Sequence, residues 1–273
     1  MAPLTARLRA AGCVFAEDEA VQLLEAADAG RNIQELVARR VRGEPLEHVL
    51  GHVDFAGLRL VVGPGVFVPR VRTTLLVAEA LTAVRRSAAR ARHNRPPVVL
   101  VEMCCGCAPI AAAVAYALGP VLDADGRGVR LEVHAADLDP VAVGCAQTNV
   151  ARYRGHAYVG DLYAALPEEL RGRVDVLAVN APYVPSAAIA TMPPEARTHE
   201  PRMALDGGPD GLDLHRRVAG EAVHWLAPDG VLLLETSRPQ AAGSAAILRE
   251  AGLRTVRVVA DEEVAGTAVR GFR

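Results

Sequence analysis

The sequence predicts an α/β protein with a doubly wound, seven-stranded, mostly parallel sheet, and three observations lead to that prediction. From residue 98 onward, short apolar runs alternate with stretches of helical spacing, the pattern of successive strand–helix units. Such units imply a parallel sheet covered by helices on both faces. The last two apolar runs, at 254–260 and 267–272, have no helix between them and predict a C-terminal antiparallel hairpin.

The elements before the sheet are of a different kind. Residues 1–50 are predicted to be helical, with apolar residues at helical spacing in 16–27 and 33–41. Next, 53–62 alternates, and Gly63-Pro64-Gly65 is expected to turn this strand back into 66–68 as a hairpin. An amphipathic helix at 73–87, capped by Thr73, leads into a basic linker at 90–97. Strands are then predicted at 98–102, 130–136, 156–159, 174–179, 231–235, 254–260 and 267–272, with helices at 110–118, 140–152, 214–225 and 241–251.

This pattern divides the chain into an N-terminal helical domain (1–50), a β-hairpin linker (51–70) and a main domain (71–273). The 273 residues are 51% hydrophobic, enough for one large domain with a small appendage. The net charge of −2 argues against a broad phosphate-binding surface, so direct nucleic-acid binding is not expected. The chain contains no Lys, which excludes a catalytic lysine.

Composition also indicates the compartment. No run of about 18 apolar residues appears, so no membrane span is expected. The first residues carry Arg7 and Arg9 without an apolar stretch after them, so no secretory signal is expected. The five Cys are odd in number and poorly spaced for a disulfide framework, which favours a reducing cytoplasm.

The most informative segment is Asn180-Ala181-Pro182-Tyr183, which directly follows the predicted strand at 174–179. An Asn at the carboxyl end of a parallel strand faces the crevice in which α/β proteins bind ligands. Pro182 favours an extended Ala181, which gives the Ala181 carbonyl a defined direction. Two hydrogen-bond acceptors beside the flat ring of Tyr183 would suit a planar group with N–H donors.

The first strand–helix turn contains only small residues, and it reads Cys104-Cys105-Gly106-Cys107-Ala108. Small residues allow a ligand to approach backbone amides at a helix N-terminus. The turn lacks the Gly-x-Gly-x-x-Gly dinucleotide fingerprint. An ordinary tight connection remains an alternative. A metal site is the less favoured reading, because Cys104 and Cys105 are adjacent and no zinc-type partner segment follows.

Three carboxylates, Glu102, Asp137 and Asp161, end successive strands. Acidic groups at this edge can accept hydrogen bonds from ribose hydroxyls or an adenine amine. A single Asp after a strand is more often a helix cap. Asp139, just before Pro140, is the natural cap of the next helix and leaves Asp137 for another role. Three carboxylates in register favour a nucleoside pocket.

Two polar loops complete the pattern. The Gly-rich segment 199–212 is long enough to be functional, although a solvated connection is equally compatible with its composition. The Asp- and Gly-rich run 123–128 lacks the rest of a calcium loop and is interpreted as a surface turn.

At this point the residues resemble a known family, the protein-(glutamine-N5) methyltransferases that modify peptide release factors, within the class I S-adenosylmethionine-dependent methyltransferases. The resemblance covers nearly the whole chain. It rests on the acidic strand ends, the Asn180–Tyr183 motif and further segments, which are 40–45 with the Gly51 turn, 55–58, 64–77 and 200–212.

The chain departs from the family pattern at several positions. The family loop Asp-Leu-Gly-x-Gly-x-Gly has Cys104, Gly106 and Ala108 at its glycine positions, and Ala181 replaces the first Pro of Asn-Pro-Pro-Tyr. The family's Thr-Glu becomes Thr73-Thr74. Because Cys and Ala are small, the loop is expected to bind cofactor if φ stays negative at these positions.

The resemblance implies the following roles. Residues 1–50 would recognise the substrate, and the cofactor would be S-adenosyl-L-methionine. The loop Cys104, Cys105, Gly106, Cys107, Ala108, preceded by Glu102, would contact its methionine part. Asp137 would hold the ribose, and Asp161 with Leu162 would border the adenine. Asn180 would lie beside the methyl donor and, with Ala181, Pro182 and Tyr183, would form the pocket for the substrate amide.

The implied reaction is methyl transfer to a glutamine side-chain nitrogen in a protein, with a peptide release factor as the expected partner. Two alternatives stay open. The same pocket could serve another amide or amine acceptor, either a small molecule or a nucleic-acid base. The altered loop could also belong to a cofactor-binding module without catalysis.

Overall fold

The N-terminal part is a small bundle of four helices. The computed structural model describes residues 1–90, 96–119, 129–192 and 194–273, and the 123–128 turn and most of the 90–97 linker fall outside them. The helices are α1 (Ala2–Ala10), α2 (Ala16–Asp28), α3 (Ile33–Val41) and α4 (Leu46–Leu50). They bury one shared apolar cluster whose largest buried members are Leu8, Leu23, Leu36, Leu46 and Leu50. The helical prediction for residues 1–50 is therefore confirmed.

The hairpin after these helices lies earlier than the sequence pattern suggested. Strands β1 (His52–Phe55) and β2 (Leu58–Val61) pair antiparallel, and the turn between them is Ala56-Gly57. Both turn residues have positive φ, 48° and 78°, which matches the right-handed twist of a two-residue hairpin. The predicted turn at Gly63-Pro64-Gly65 and strand at 66–68 were wrong, because the short Ala56-Gly57 turn closes the hairpin first.

The main sheet has seven strands. They are β3 (Val98–Met103), β4 (Leu131–Asp137), β5 (His156–Val159), β6 (Val174–Val179), β7 (Leu226–Glu235), β8 (Arg254–Asp261) and β9 (Gly266–Phe272). Their spatial order is β5-β4-β3-β6-β7-β9-β8. The first five strands are parallel, whereas β9 pairs antiparallel with both β7 and β8. The mostly parallel sheet and its C-terminal antiparallel hairpin are confirmed.

Helices cover both faces of this sheet. They are α5 (Thr74–Ala89), α6 (Pro109–Leu118), α7 (Pro140–Ala151), α9 (Asp213–Trp225) and α10 (Ala241–Glu250), and the short helix α8 (Pro194–His199) lies in the segment between β6 and α9. One apolar cluster contains residues of α5, α6 and α7, and a second contains residues of α9 and α10. The reversal of strand order beside β3 places the carboxyl ends of β3, β4 and β6 around one crevice. None of the helices in the described residues is long and apolar enough to cross a membrane.

Helix α5 begins one residue later than predicted, and Thr73 does not cap it. Val71–Thr73 form a single 3₁₀ turn, and no side-chain hydrogen bond from Thr73 caps α5. Thr73 is only 1% exposed. Its hydroxyl is thus free of the helix terminus and lies among the residues at the sheet edge.

Candidate functional site

A cavity of about 1220 Å³ opens at the carboxyl edge of the parallel strands. Its walls come from the ends of β3, β4 and β6, from the segment after the hairpin and from the N-terminal helices. All but one of the site residues that the sequence singled out border it. These residues are Glu102, Cys104, Cys105, Gly106, Cys107, Asp137, Asp161, Leu162, Asn180, Ala181, Pro182 and Tyr183, with only Ala108 buried behind the surface.

The loop after β3 has the backbone shape of a glycine loop. Cys104, Gly106 and Ala108 all have positive φ, at 53°, 53° and 58°. The condition of negative φ that was set for these positions is therefore not met, and the loop instead adopts the left-handed conformation typical of glycine. Two backbone bonds hold the turn, from the Cys105 N–H to the Ala136 carbonyl at 3.0 Å and from the Ala108 N–H to the Cys105 carbonyl at 2.7 Å. Cys104 and Ala108 accept left-handed strain of about 1–2 kcal/mol each so that the loop keeps its path.

The Glu102 side chain faces the start of α6, the helix that follows the 104–108 loop. Its carboxylate accepts hydrogen bonds from the backbone N–H of Ile110 at 3.2 Å and of Ala111 at 2.6 Å. The side chain is 2% exposed, and burial raises its pKa to about 8. Its described contacts are thus those of a helix cap. Sequence position alone cannot distinguish this orientation from one facing a ligand.

Asp137 ties the 104–108 loop to the end of β4. One carboxylate oxygen accepts from the Gly106 N–H at 2.8 Å, and the other accepts from the Asp139 N–H at 3.0 Å. Burial raises the pKa of Asp137. As predicted, Asp139 caps α7, because its side chain accepts from the Val141 N–H at 2.8 Å. Each oxygen of Asp137 keeps lone pairs for a further donor in the cavity.

Asp161 and Leu162 line the cavity further along the sheet edge. Asp161 pairs with Arg217 of α9, with Nη2 to Oδ2 at 2.8 Å, and about half of the Asp161 side chain is exposed. Leu162 has a positive φ of 50°. Both residues border the same space as Asp137.

The Asn180–Tyr183 segment leaves β6 directly into the cavity. The Asn180 side-chain nitrogen donates to the Thr73 hydroxyl at 3.4 Å, and Ala181 is buried at 1% exposure. The Tyr183 hydroxyl contacts Arg72 Nε at 3.1 Å and donates to Glu235 Oε1 at 3.3 Å. Burial raises the pKa of Tyr183, so the hydroxyl keeps its proton.

The glycine-rich loop at 199–212 is packed against this segment and is not a solvated connection. Val184 donates its N–H to the Leu205 carbonyl at 3.0 Å and accepts from the Gly207 N–H at 2.9 Å. A Cβ at Gly211 would come within 2.3 Å of the Tyr183 carbonyl oxygen. Glycine is needed there for close backbone contact, so the loop positions Tyr183.

Sequence reasoning missed two charged residues beside Tyr183. Arg72 lies in the 3₁₀ turn before α5, and Glu235 ends β7 at the same edge as Asn180. Arg72 Nε lies 3.3 Å from Glu235 Oε1. A carboxylate at the end of the next parallel strand was the signal that could have identified Glu235.

The cysteine cluster contributes small neutral side chains. Burial raises the pKa values of Cys104, Cys105 and Cys107, which keeps these thiols protonated. Within the described ranges, no group of three or more His, Cys, Asp or Glu side chains is placed to hold a metal ion.

Comparison with the sequences of known proteins identifies several relatives of this chain. A release factor glutamine methyltransferase of Streptomyces coelicolor is 38% identical over 78% of this chain and 70% of its own length. One of Geobacter sulfurreducens is 36% identical over 76% of this chain, which spans only 65% of that relative. One of Caulobacter vibrioides is 31% identical over 88% of this chain and 78% of its own length.

Other comparisons are more distant. No family model matches the chain. Among solved structures, a methyltransferase from Pyrococcus furiosus is 16% identical, with a TM-score of 0.46 over 70% of this chain and 82% of that one. The relatives from Streptomyces coelicolor and Caulobacter vibrioides are both more than 30% identical, and the chain spans more than two thirds of the length of each. The chain belongs to the release factor glutamine methyltransferase family.

Proposed function

We propose that this protein transfers a methyl group from S-adenosyl-L-methionine to the side-chain amide nitrogen of a glutamine in a protein, with a peptide release factor as substrate. The observation that carries the proposal is the position of Asn180–Tyr183 in one cavity with the 104–108 loop and Asp137. Membership of the family supports the choice of acceptor. The reducing cytoplasm is the compartment that we propose.

The residues of the cavity fit the proposed cofactor. The 104–108 loop keeps its glycine-like path, so its small side chains leave room for a methionine moiety near the N-terminus of α6. Asp137 keeps acceptor capacity for two ribose hydroxyls, and Leu162 offers an apolar surface beside the half-exposed Asp161 for an adenine. The bound cofactor would supply an electrophilic methyl group on a sulfonium.

The acceptor amide presents a problem of orientation. Its nitrogen lone pair is delocalised into the carbonyl, so the nitrogen is a poor nucleophile. If the Asn180 oxygen and the Ala181 carbonyl each accept one N–H, the nitrogen is fixed and its lone pair faces the methyl donor. Orientation of this kind lowers the activation free energy of a reaction by up to about 7–11 kcal/mol in favourable cases. Tyr183 would pack on the flat amide, and the proton lost from the methylated nitrogen would pass to solvent.

The direct test is methylation of candidate release factors with labelled cofactor, followed by mass spectrometry of the modified peptide. We expect one added methyl group on a glutamine. Asn180→Ala should bind S-adenosylmethionine with wild-type affinity and lose transfer, because only the acceptor loses its hydrogen bond. Full activity of Asn180→Ala, or a methyl group on another residue type, would overturn the proposal.

The cofactor assignment is tested separately at Asp137. Asp137→Ala should weaken S-adenosylmethionine binding in calorimetry, because the ribose hydroxyls lose a carboxylate acceptor. The exposed Asp229 provides a matched Asp→Ala control, since it lies outside the cavity lining. Unchanged affinity of Asp137→Ala would refute the ribose assignment.

A further inference from the structure

Asn149, near the end of α7, joins two chain segments that are far apart in the sequence. The residue is buried at 7% exposure. Its Oδ1 accepts from the Val61 N–H at 2.8 Å, and its Nδ2 donates to the Val61 carbonyl at 2.9 Å and to the Cys107 carbonyl at 2.8 Å. One side-chain amide therefore bonds both the last residue of β2 and the 104–108 loop.

These three bonds fix the orientation of the Asn149 amide. A carboxamide has one oxygen that accepts and one NH₂ group with two protons to donate. The Val61 N–H requires the oxygen, and the two carbonyls require the two N–H protons, so only one orientation makes all three bonds. An ionised Asp could not donate to either carbonyl, and Leu could make none of the bonds.

The bond to Cys107 holds the part of the loop that has left-handed backbone. Asp137, just before α7, accepts from the Gly106 N–H at 2.8 Å. Asn149 bonds the carbonyl of the next residue, which directly precedes Ala108 with its φ of 58°. Backbone in this region persists only where the surrounding structure over-determines it. The two side chains thus oppose relaxation of the loop from either side of α7.

The bond to Val61 reaches a segment that also forms a wall of the cavity. Residues 65–67 follow β2 and line the cavity. The Phe67 carbonyl oxygen would lie 3.9 Å from a Cβ at Gly106, an ordinary contact distance. On the other side, His48 Nε2 of α4 lies 2.8 Å from the Val66 carbonyl oxygen. This segment therefore contacts both the 104–108 loop and the N-terminal helices.

We infer that Asn149 is a positioning residue for the cofactor, which fixes the 104–108 loop to the β1–β2 hairpin and keeps the loop in the path that receives the methionine part of S-adenosylmethionine. This inference rests on the proposed function, because it requires that the cofactor binds at this loop. Asn149 does not line the cavity, so it acts on the cofactor through the loop.

The binding test replaces Asn149 with an apolar side chain of similar size. Asn149→Leu removes all three bonds and should weaken S-adenosylmethionine binding about tenfold in calorimetry, because binding must then also order the loop. The control is Gln147→Leu on the same helix. The Gln147 amide bonds the Gly155 carbonyl and the Ala157 N–H, which do not line the cavity, so this variant should keep the wild-type affinity. Wild-type affinity of folded Asn149→Leu, or an equal loss in both variants, would overturn the inference.

A second measurement uses only the wild-type protein. If the bonds of Asn149 strengthen cofactor binding, the cofactor must strengthen these bonds by the same factor, because coupling between two sites is reciprocal. Saturation with S-adenosylmethionine should therefore slow hydrogen exchange of the Val61 amide about tenfold more than that of the Ala157 amide, which bonds Gln147. Equal slowing of the two amides would refute the inference.

Loss of the cofactor assignment and loss of the inference give different results. If the wild-type protein binds no S-adenosylmethionine, the cofactor assignment fails. Exchange of the Ala108 amide, which bonds the Cys105 carbonyl within the loop, is then compared between the folded, ligand-free variants. Faster exchange in Asn149→Leu than in Gln147→Leu would show that Asn149 holds the loop, and equal rates would show that it does not.

Discussion

Cys104 and Ala108 occupy backbone conformations that glycine adopts at much lower cost. Their φ values of 53° and 58° lie in the left-handed region, where a Cβ crowds the following carbonyl. The sequence identified the loop correctly by its small residues. It did not predict the φ values, because these are imposed by contacts with β4 and not by the residues of the loop.

This strain predicts that glycine at position 104 stabilises the fold. Cys104→Gly should raise the free energy of unfolding by up to about 1 kcal/mol, because relief of left-handed strain exceeds the added freedom of the unfolded chain. Cys145 in the middle of α7 is the control, and Cys145→Gly should lower the free energy of unfolding by about 1 kcal/mol. Urea unfolding measures both. An equal decrease in the free energy of unfolding of the two variants would show that the backbone at Cys104 is not strained.

At the scale of elements, α9 and α10 are joined by a buried polar contact. His215 of α9 is 0% exposed, and its Nδ1 lies 3.0 Å from the Ser244 hydroxyl of α10. Ser244 also contacts the Thr236 hydroxyl at 3.1 Å. Apolar periodicity predicted both helices, but it carries no information on which polar side chains meet between them.

The burial of His215 predicts a loss of stability in mild acid. Burial lowers its pKa from 6.5 to about 4, so the folded protein binds this proton less readily than the unfolded chain. The contribution of His215 to the free energy of unfolding is fully present above pH 6.5. It is lost as the pH drops towards 4, by up to about 3 kcal/mol in total. His215→Gln keeps a hydrogen bond to Ser244 without titrating, so its free energy of unfolding should fall less between pH 7 and pH 4.5.

His224, exposed on the same helix, provides the matched control. His224 is exposed, and His224→Gln makes the same change of residue type without touching the contact between α9 and α10, so this variant should show the wild-type loss of stability in acid. Urea unfolding at several pH values measures all three proteins. An identical slope for His215→Gln and wild type would show that His215 is not the group responsible.

For the whole molecule, the order of strands and helices was predictable and the relative placement of distant segments was not. Alternation of apolar runs and helical periods fixes a parallel sheet, and the missing helix before β9 fixes the antiparallel end. The ends of β3, β4 and β6 converge because of the sheet topology, so Asp137 and Asn180 could be predicted to share an edge. Contacts between Arg72 and Glu235 join residues 163 positions apart, and no local pattern encodes them.

The cavity also reaches the N-terminal helices. We therefore expect residues of these helices to affect the KM for a protein substrate and not the affinity for the cofactor. Phe15 at the start of α2 lines the cavity and is 68% exposed, whereas its neighbour Val14 is 82% exposed and does not line it. An exposed aromatic ring at the rim of a cavity is a typical anchor for a partner protein. Phe15→Ala should therefore raise KM for a release factor about tenfold, near 1.4 kcal/mol, with kcat and cofactor affinity unchanged. Val14→Ala truncates a smaller, exposed apolar side chain that is next to Phe15 but does not line the cavity, and it should leave KM unchanged. Steady-state kinetics with the intact release factor measure KM for both variants. Equal KM values would show that the substrate does not contact the N-terminal helices at Phe15.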